Sequence, residues 1–260
     1  MKIDSSLLVI PTYNCENQIA KVLNKLNDAG IENYFSHVLL IDNCSTDSTV
    51  LIATRFKQKT LSKWLSIAKN ETNYGLGGTH KVAVKYCLEN NLKSFGVIHG
   101  DDQANIQDLL GNIHLFGSKD ETSAFLGARF MPTSRLVGYS RVRIFGNIIL
   151  NFIMTAVSRK RIYDMGSGLN FFIVKDLLAV DIFRLPDDLT FNNQLILSYV
   201  AEKKSLLFFP ITWTESGQVS NAKLWNQGFK VLGMCFKFLL FQSISKQKIT
   251  KSYDYEILNV

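Results

Sequence analysis

Cysteine and proline are scarce in this chain, and no uninterrupted apolar run is long. The four cysteines among 260 residues, Cys15, Cys44, Cys87 and Cys235, lie far apart and form no Cys-x-x-Cys pair. That argues against a zinc ribbon or a disulfide framework and for reduced thiols in a cytosolic protein. With only four prolines and no low-complexity tract, disorder is expected at the extreme C-terminus alone. The longest apolar stretches, residues 144–157 and 231–244, are broken by polar side chains, so no segment is expected to cross a bilayer. The apolar run before Pro11 is too short for a signal peptide, and there is no internal repeat.

Positive charge is in excess: 29 Lys and Arg against 22 Asp and Glu, a net +7. Anionic partners follow, whether phosphate groups, nucleic acid or an anionic membrane surface, and charge alone does not choose among them. The length fits one α/β domain with a small C-terminal extension.

Short apolar segments alternate with helical periodicity. Residues 7–10 form a strand ended by Pro11, and Ile19, Val22, Leu23 and Leu26 recur at helical spacing until Gly30. Residues 38–41 are a second strand, followed by a Ser/Thr/Asp cluster that caps a helix over 48–58. A third strand is expected over 62–69, a glycine turn over 73–78, a helix over 79–90 and a fourth strand over 95–98. Beyond it come strands at 124–126, 171–174 and 206–210, a basic helical stretch over 135–161 and a helix over 191–201. Fully apolar strands between amphipathic helices indicate a parallel sheet covered on both faces. Ligands of such sheets sit beyond the carboxyl ends of the strands. Three strand ends carry polar groups there: Tyr13, Asn14 and Glu16; Asp42 and Asp47; and His99, Asp101 and Gln103.

Six segments occur in one order: Val9-Ile10-Pro11-Thr12-Tyr13-Asn14, Ile41-Asp42-Asn43-Cys44-Ser45-Thr46-Asp47-Ser48-Thr49, Asn73-Tyr74-Gly75-Leu76-Gly77-Gly78, His99-Gly100-Asp101-Asp102-Gln103, Gly127-Ala128-Arg129-Phe130 and Asp164-Met165-Gly166-Ser167-Gly168. Together they resemble the family 2 glycosyltransferases, especially the dolichyl-phosphate-mannose-synthase-like branch, over about residues 5–225. The resemblance implies a GT-A (Rossmann-like) α/β fold: a mixed, mainly parallel central sheet flanked by helices, with a short amphipathic C-terminal extension. Residues 1–225 would be the glycosyltransferase domain, and 226–260 an amphipathic helix and a polar, mobile tail.

The same resemblance assigns roles. Pro11 and Tyr13 would shape a nucleoside pocket, Asp42 would accept hydrogen bonds from base or ribose, and Glu16 is a further candidate. Gly75 and Gly77 would let the backbone approach the nucleotide. Transfer from a nucleoside diphosphate sugar leaves a diphosphate whose charge a divalent cation neutralises. Alignment on Gln103 makes Asp101 the first metal ligand, with Gln103 beside it and His99 either a ligand or a phosphate donor. The cation would be Mn2+ or Mg2+, the histidine favouring manganese. Asp102 is a carboxylate near the nucleotide or a helix cap, and Asp47 a site residue or a helix start. Arg129 suits a phosphate of donor or acceptor. Lys223, in a segment resembling the branch's Gly-x-Ser-Lys, could reach the diphosphate.

The base that takes the acceptor proton is Asp164 by motif, with Asp187 and Asp188 as alternatives. Where relatives have a glutamate, this chain reads Phe191-Asn192-Asn193-Gln194-Leu195. A phosphate acceptor would need no strong base. The expected function is non-processive, inverting, metal-dependent sugar transfer in cell-envelope glycan or glycolipid assembly, with a saccharide acceptor. The alternative acceptor is a polyprenyl phosphate receiving mannose or glucose. From other classes come a nucleotidyltransferase, which should show a glycine-rich loop where Pro11-Thr12-Tyr13-Asn14 stands, and a non-catalytic module for anionic ligands. Nucleic acid is not an expected partner. The setting is cytoplasmic, with peripheral contact at the inner membrane face through the basic, apolar stretch 135–161, and a homo-oligomer is compatible with it.

Overall fold

The computed structural model describes the chain apart from residues 1, 2, 4, 118–121, 216–223 and 242–245, and only the backbone of residues 117 and 224–227. Its frame is an eight-stranded sheet. In chain order the strands are β1 (Ser6–Thr12), β2 (His37–Asp42), β3 (Leu65–Asn70), β4 (Ser94–Ile98), β5 (Thr122–Ala128), β7 (Leu169–Ile173), β8 (Ser205–Pro210) and β10 (Tyr255–Ile257). A two-stranded sheet adds β6 (Arg135–Val137) and β9 (Thr212–Thr214). The helices are α1 (Ile19–Asp28), α2 (Thr49–Thr60), α3 (Gly75–Glu89), α4 (Ile106–Gly117), α5 (Arg141–Ser158), α6 (Val174–Ala179), α7 (Phe191–Ala201) and α8 (Leu224–Phe241).

Spatial order in the large sheet is β10-β3-β2-β1-β4-β7-β5-β8. β1 runs parallel to both β2 and β4, β2 to β3, and β5 to β8. β7 is antiparallel to β4 and β5, and β10 to β3, so the sheet is mixed and mainly parallel, as expected. Alternate residues of one strand serve opposite cores. Leu7 and Val9 join the core under α3, α5, α7 and α8, and Leu8 and Ile10 join the core under α1, α2 and α4.

Three readings change. The expected glycine turn over 73–78 is already helix, because α3 begins at Gly75. Asn73 Oδ1 accepts from Gly75 N (3.0 Å) and Asn43 Oδ1 from Tyr74 N (2.8 Å), which starts the helix early. The tail expected to be mobile is held to the sheet edge: Tyr255, Glu256 and Ile257 pair with Asn70, Lys69 and Ala68. Tyr253 is buried against Tyr74 and Phe183, so aromatic packing supplies what a polar sequence concealed. Finally, α5 is by length and composition able to cross a membrane, with a mean hydropathy of 1.2 and 17% of its residues buried. The polar residues that break its sequence, Asn147, Asn151 and Thr155, turn toward the protein body, where they hydrogen-bond to Tyr139, Tyr163 and Ile162.

Candidate active site

The loops after β1 and β2 are locked to each other. Glu16 Oε2 accepts from Ser48 N (3.0 Å), and Asp47 Oδ2 from Glu16 N (3.0 Å). Asn14, at φ +53°, donates its backbone N–H to Ser45 Oγ and accepts from Thr46 N. Burial pushes the Asp47 carboxyl up, but hydrogen bonds from Thr49 and from the Glu16 amide outweigh it and hold it below its usual value. Asp47 therefore caps the start of α2, and Glu16 reinforces it. Asp42 is fully buried at the end of β2 and accepts from Ser45 N (3.1 Å). Tyr13 stands out at 44% exposure, next to Pro11, whose carbonyl accepts from Gly100 N (3.0 Å).

Gly75 and Gly77 do allow a close backbone approach, and within this chain the approaching segment is residues 186–187. A Cβ on Gly75 would lie 2.6 Å from the Asp187 carbonyl oxygen, and one on Gly77 would overlap Pro186 O and the Phe191 ring. Gly77 N donates to Asp187 O (2.8 Å).

At the end of β4, His99 N donates to Gly168 O (3.1 Å). A Cβ on Gly168 would lie 2.7 Å from the His99 ring, so this glycine makes room for the imidazole. Burial pushes His99 down to about 4, which keeps the ring neutral, and its Nε2 is buried without a hydrogen-bond partner. Asp101 is pushed up to about 6 by burial, against a hydrogen bond from Gln103 N (3.2 Å) that lowers it. Asp102, at φ +60°, forms an ion pair with Lys25 (2.6 Å). Thr214 N donates to Gln103 O (2.8 Å), and Trp213 bridges Ala104, so β9 braces this loop.

Arg129 leaves β5 and meets Asp164. Its backbone N (2.9 Å) and Nε (2.8 Å) donate to Asp164 Oδ2, and its Nη2 (2.8 Å) to Oδ1. Gly166 N also donates to Oδ1 (3.1 Å). Both oxygens of Asp164 are thus engaged, and its side chain is 1% exposed. That placement suits an anchor for Arg129 better than a group that takes up a proton. Burial opposes the guanidinium charge, and the Asp164 carboxylate more than offsets it, holding the Arg129 pKa above its usual value. The guanidinium also faces the Trp213 ring at 5.0 Å.

Asp187 and Asp188 are likewise committed. Asp187 accepts from Lys81 (2.7 Å), Lys251 (2.6 Å) and Tyr253 (2.9 Å). Burial raises its pKa, but these bonds prevail and hold it below the usual range. Asp188 accepts from the N–H of Thr190 (2.8 Å), the residue before α7, and pairs with Lys230 (3.2 Å).

One cleft of about 530 Å³ gathers His99, Asp101, Gln103 and Arg129 on its wall. Asp164 stands behind Arg129. Pro11, Tyr13, Glu16, Asp42, Gly75, Gly77, Asp102, Asp187 and Asp188 do not line it. Lys223 lies outside the described residues. The cleft adds Trp213, Tyr139, Arg143, Asn192 and Asn193, which sequence reasoning did not place in the site. Their signal was weak: a tryptophan after a proline-ended strand, an arginine in a basic run, and two asparagines noted only for the missing glutamate. Trp213 Nε1 and Arg143 Nε are buried without partners, as is His99 Nε2. These three unpartnered atoms belong to residues that line one cleft, and each costs free energy while it stays unpaired.

The glycosyl transferase family 2 model matches residues 7–179, and the chain belongs to that family. It is 27% identical over 171 residues to the uncharacterised protein MJ1222 of Methanocaldococcus jannaschii, covering 65% of each. Over 79 residues it is 34% identical to the poly(ribitol-phosphate) β-N-acetylglucosaminyltransferase TarS of Staphylococcus aureus, covering 30% of this chain and 13% of TarS. The chain thus spans less than two thirds of the length of these curated relatives. The crystal structure of TarS 1–349 with UDP-GlcNAc superposes with a TM-score of 0.60 at 19% identity, covering 93% of this chain and 67% of that one. Glucosyl-3-phosphoglycerate synthase of Mycobacterium tuberculosis, with Mn2+, UDP and phosphoglyceric acid, gives 0.64 at 11% identity, covering 97% and 85%. At such identities the likeness is one of fold, and that fold is GT-A.

Proposed function

We propose that the chain transfers a sugar from a nucleoside diphosphate sugar to an acceptor, non-processively and with inversion, in the assembly of cell-envelope glycan or glycolipid. The observation that carries this is the cleft at the carboxyl end of β4, which His99, Asp101, Gln103 and Arg129 line together, with three buried polar atoms of its lining residues left without partners. TarS and the mycobacterial synthase hold UDP-GlcNAc or UDP in the same fold. In this reading Tyr13, Asp42 and the locked loops around them take the nucleoside, and residues 226–260 form an extension to the transferase domain of residues 1–225.

A divalent cation fits the cleft as a partner of the diphosphate. No three His, Cys, Asp or Glu come together among the described residues, so the protein would supply few ligands and the diphosphate the rest, as magnesium and manganese accept. Asp101, whose carboxyl burial pushes up to about 6, is the carboxylate to hold it, with Gln103 and His99 beside it. When bound, the cation offsets the charge that grows on the leaving diphosphate. Arg129, kept charged by Asp164, lines the same cleft and supplies a further positive charge to the diphosphate.

A polyprenyl-phosphate acceptor is the second reading, consistent with the dolichyl-phosphate-mannose-synthase-like branch. Asp164, Asp187 and Asp188 are each paired with a basic side chain, Arg129, Lys81 and Lys230, and an ionised phosphate needs no base to attack. Assaying transfer to lipid phosphate against saccharide acceptors separates the two. The shared donor chemistry is tested by thermal shift with UDP- and GDP-sugars, with and without Mn2+. A metal-dependent rise in Tm with one donor is expected, and no response to any donor would sink both.

A further inference from the structure

The face that α5 and α8 turn outward is apolar, and donor chemistry does not account for it. α5 is apolar on both sides: Met154 is buried in the core with Leu150, Ile153 and Val157 packed against it, and the outer face is apolar as well. Arg143, Asn147, Asn151 and Thr155, spaced four apart, bond inward to Glu215, Tyr139, Tyr163 and Ile162. Phe145 (68% exposed) and Phe152 (69%) point outward. In α8, Val231, Cys235 and Phe238 are buried against the body, yet Phe236 (61%) is exposed on the other side. Arg141, Arg159, Lys160, Arg161, Lys230 and Lys237 are exposed on or beside the two helices, and neither helix contains a carboxylate.

We propose that this face seats the protein on an anionic bilayer, with α5 and α8 lying in the interfacial plane. Apolar rings enter the acyl boundary while the basic rim meets anionic headgroups. α5 does not span the membrane, because crossing would strip the four inward hydrogen-bonded side chains from their partners and leave them unpaired in hydrocarbon. Val142, Ile149, Phe229 and Leu232 are exposed and also line the cleft that holds His99 and Arg129. The cleft therefore opens at bilayer level. The seat does not rest on the sugar-transfer reading.

The test is co-sedimentation of the full chain with phosphatidylcholine vesicles, with and without phosphatidylglycerol. Binding is expected with phosphatidylglycerol, weaker at high salt, and reduced about ten-fold by Phe145→Ser, Phe152→Ser or Phe236→Ser, each the loss of one inserted ring. Thermal denaturation without ligand reports that the variants remain folded, and none of these residues lines the cleft. No binding to anionic vesicles overturns the proposal. So does a stable dimer that the same substitutions dissociate, because a second copy would then cover the face. Vesicle binding without turnover of any donor would leave the seat standing and remove the transfer reading.

Discussion

Asp101 shows how a single residue can be costly to the fold and suited to a ligand. Its carboxyl is pushed up to about 6 by burial, above the ordinary carboxylate value of 3.8. The folded chain therefore binds this proton more tightly than the unfolded chain, and stability falls as pH rises through roughly 4 to 6. Asp101→Asn is expected to raise the Tm of the ligand-free protein at pH 7, with the gain fading below about pH 4. The same substitution should lower turnover on the order of 10²–10³-fold. Denaturation across pH, set beside a donor-turnover assay, checks both; unchanged turnover would remove Asp101 from the site. The motif around residues 99–103 was legible in sequence because strand-end acids stand out. The unmet Nε1 of Trp213 and Nε of Arg143 were not, since their burial is created by segments distant in sequence.

Among elements, α3 is the most constrained. It is buried along most of its length, and it carries His80 and Lys81 inside. Lys81, 1% exposed, is held by Asp187, Leu185 O and Tyr253 Oη, while burial lowers its pKa against the Asp187 interaction. Its glycines are explained by packing. Gly77→Ala would press a methyl group into Pro186 and Phe191, an overpacking expected to cost about 1–3 kcal/mol. Gly111→Ala, in α4 with open space around it, should instead stabilise by up to about 1 kcal/mol. Urea denaturation of the pair checks the contrast, and equal effects would contradict the packing account. The glycine run itself was readable in sequence, but the chain segment that needed it was not, because residues 186–187 lie more than a hundred positions away.

At the scale of the whole molecule, the C-terminal segment closes one edge of the sheet. β10 covers β3, and Lys85 pairs with Asp254 (2.6 Å). Removing residues 246–260 would uncover that edge and expose the site of Tyr253. A loss of at least about 2 kcal/mol is expected from the buried ring alone, with increased aggregation from the unpaired strand. Light scattering and thermal denaturation report both. No residue of this segment lines the cleft, so donor binding at low temperature should survive; its loss would mean that the segment also shapes the nucleoside loops.

Sequence alone determined the sheet's central strands, the order of its loops and the place of the acidic motif. These rest on local rules: apolar runs of strand length, helical spacing of Ile19, Val22, Leu23 and Leu26, and turn residues at strand ends. Only tertiary structure decided the antiparallel insertion of β7, the return of the tail to β3, the commitment of Asp164 to Arg129 and the outward apolar face of α5 and α8. Each of these depends on which distant surfaces meet. An aspartate reads the same in sequence whether it awaits a proton or already holds an arginine, and a phenylalanine whether it fills a core or faces solvent.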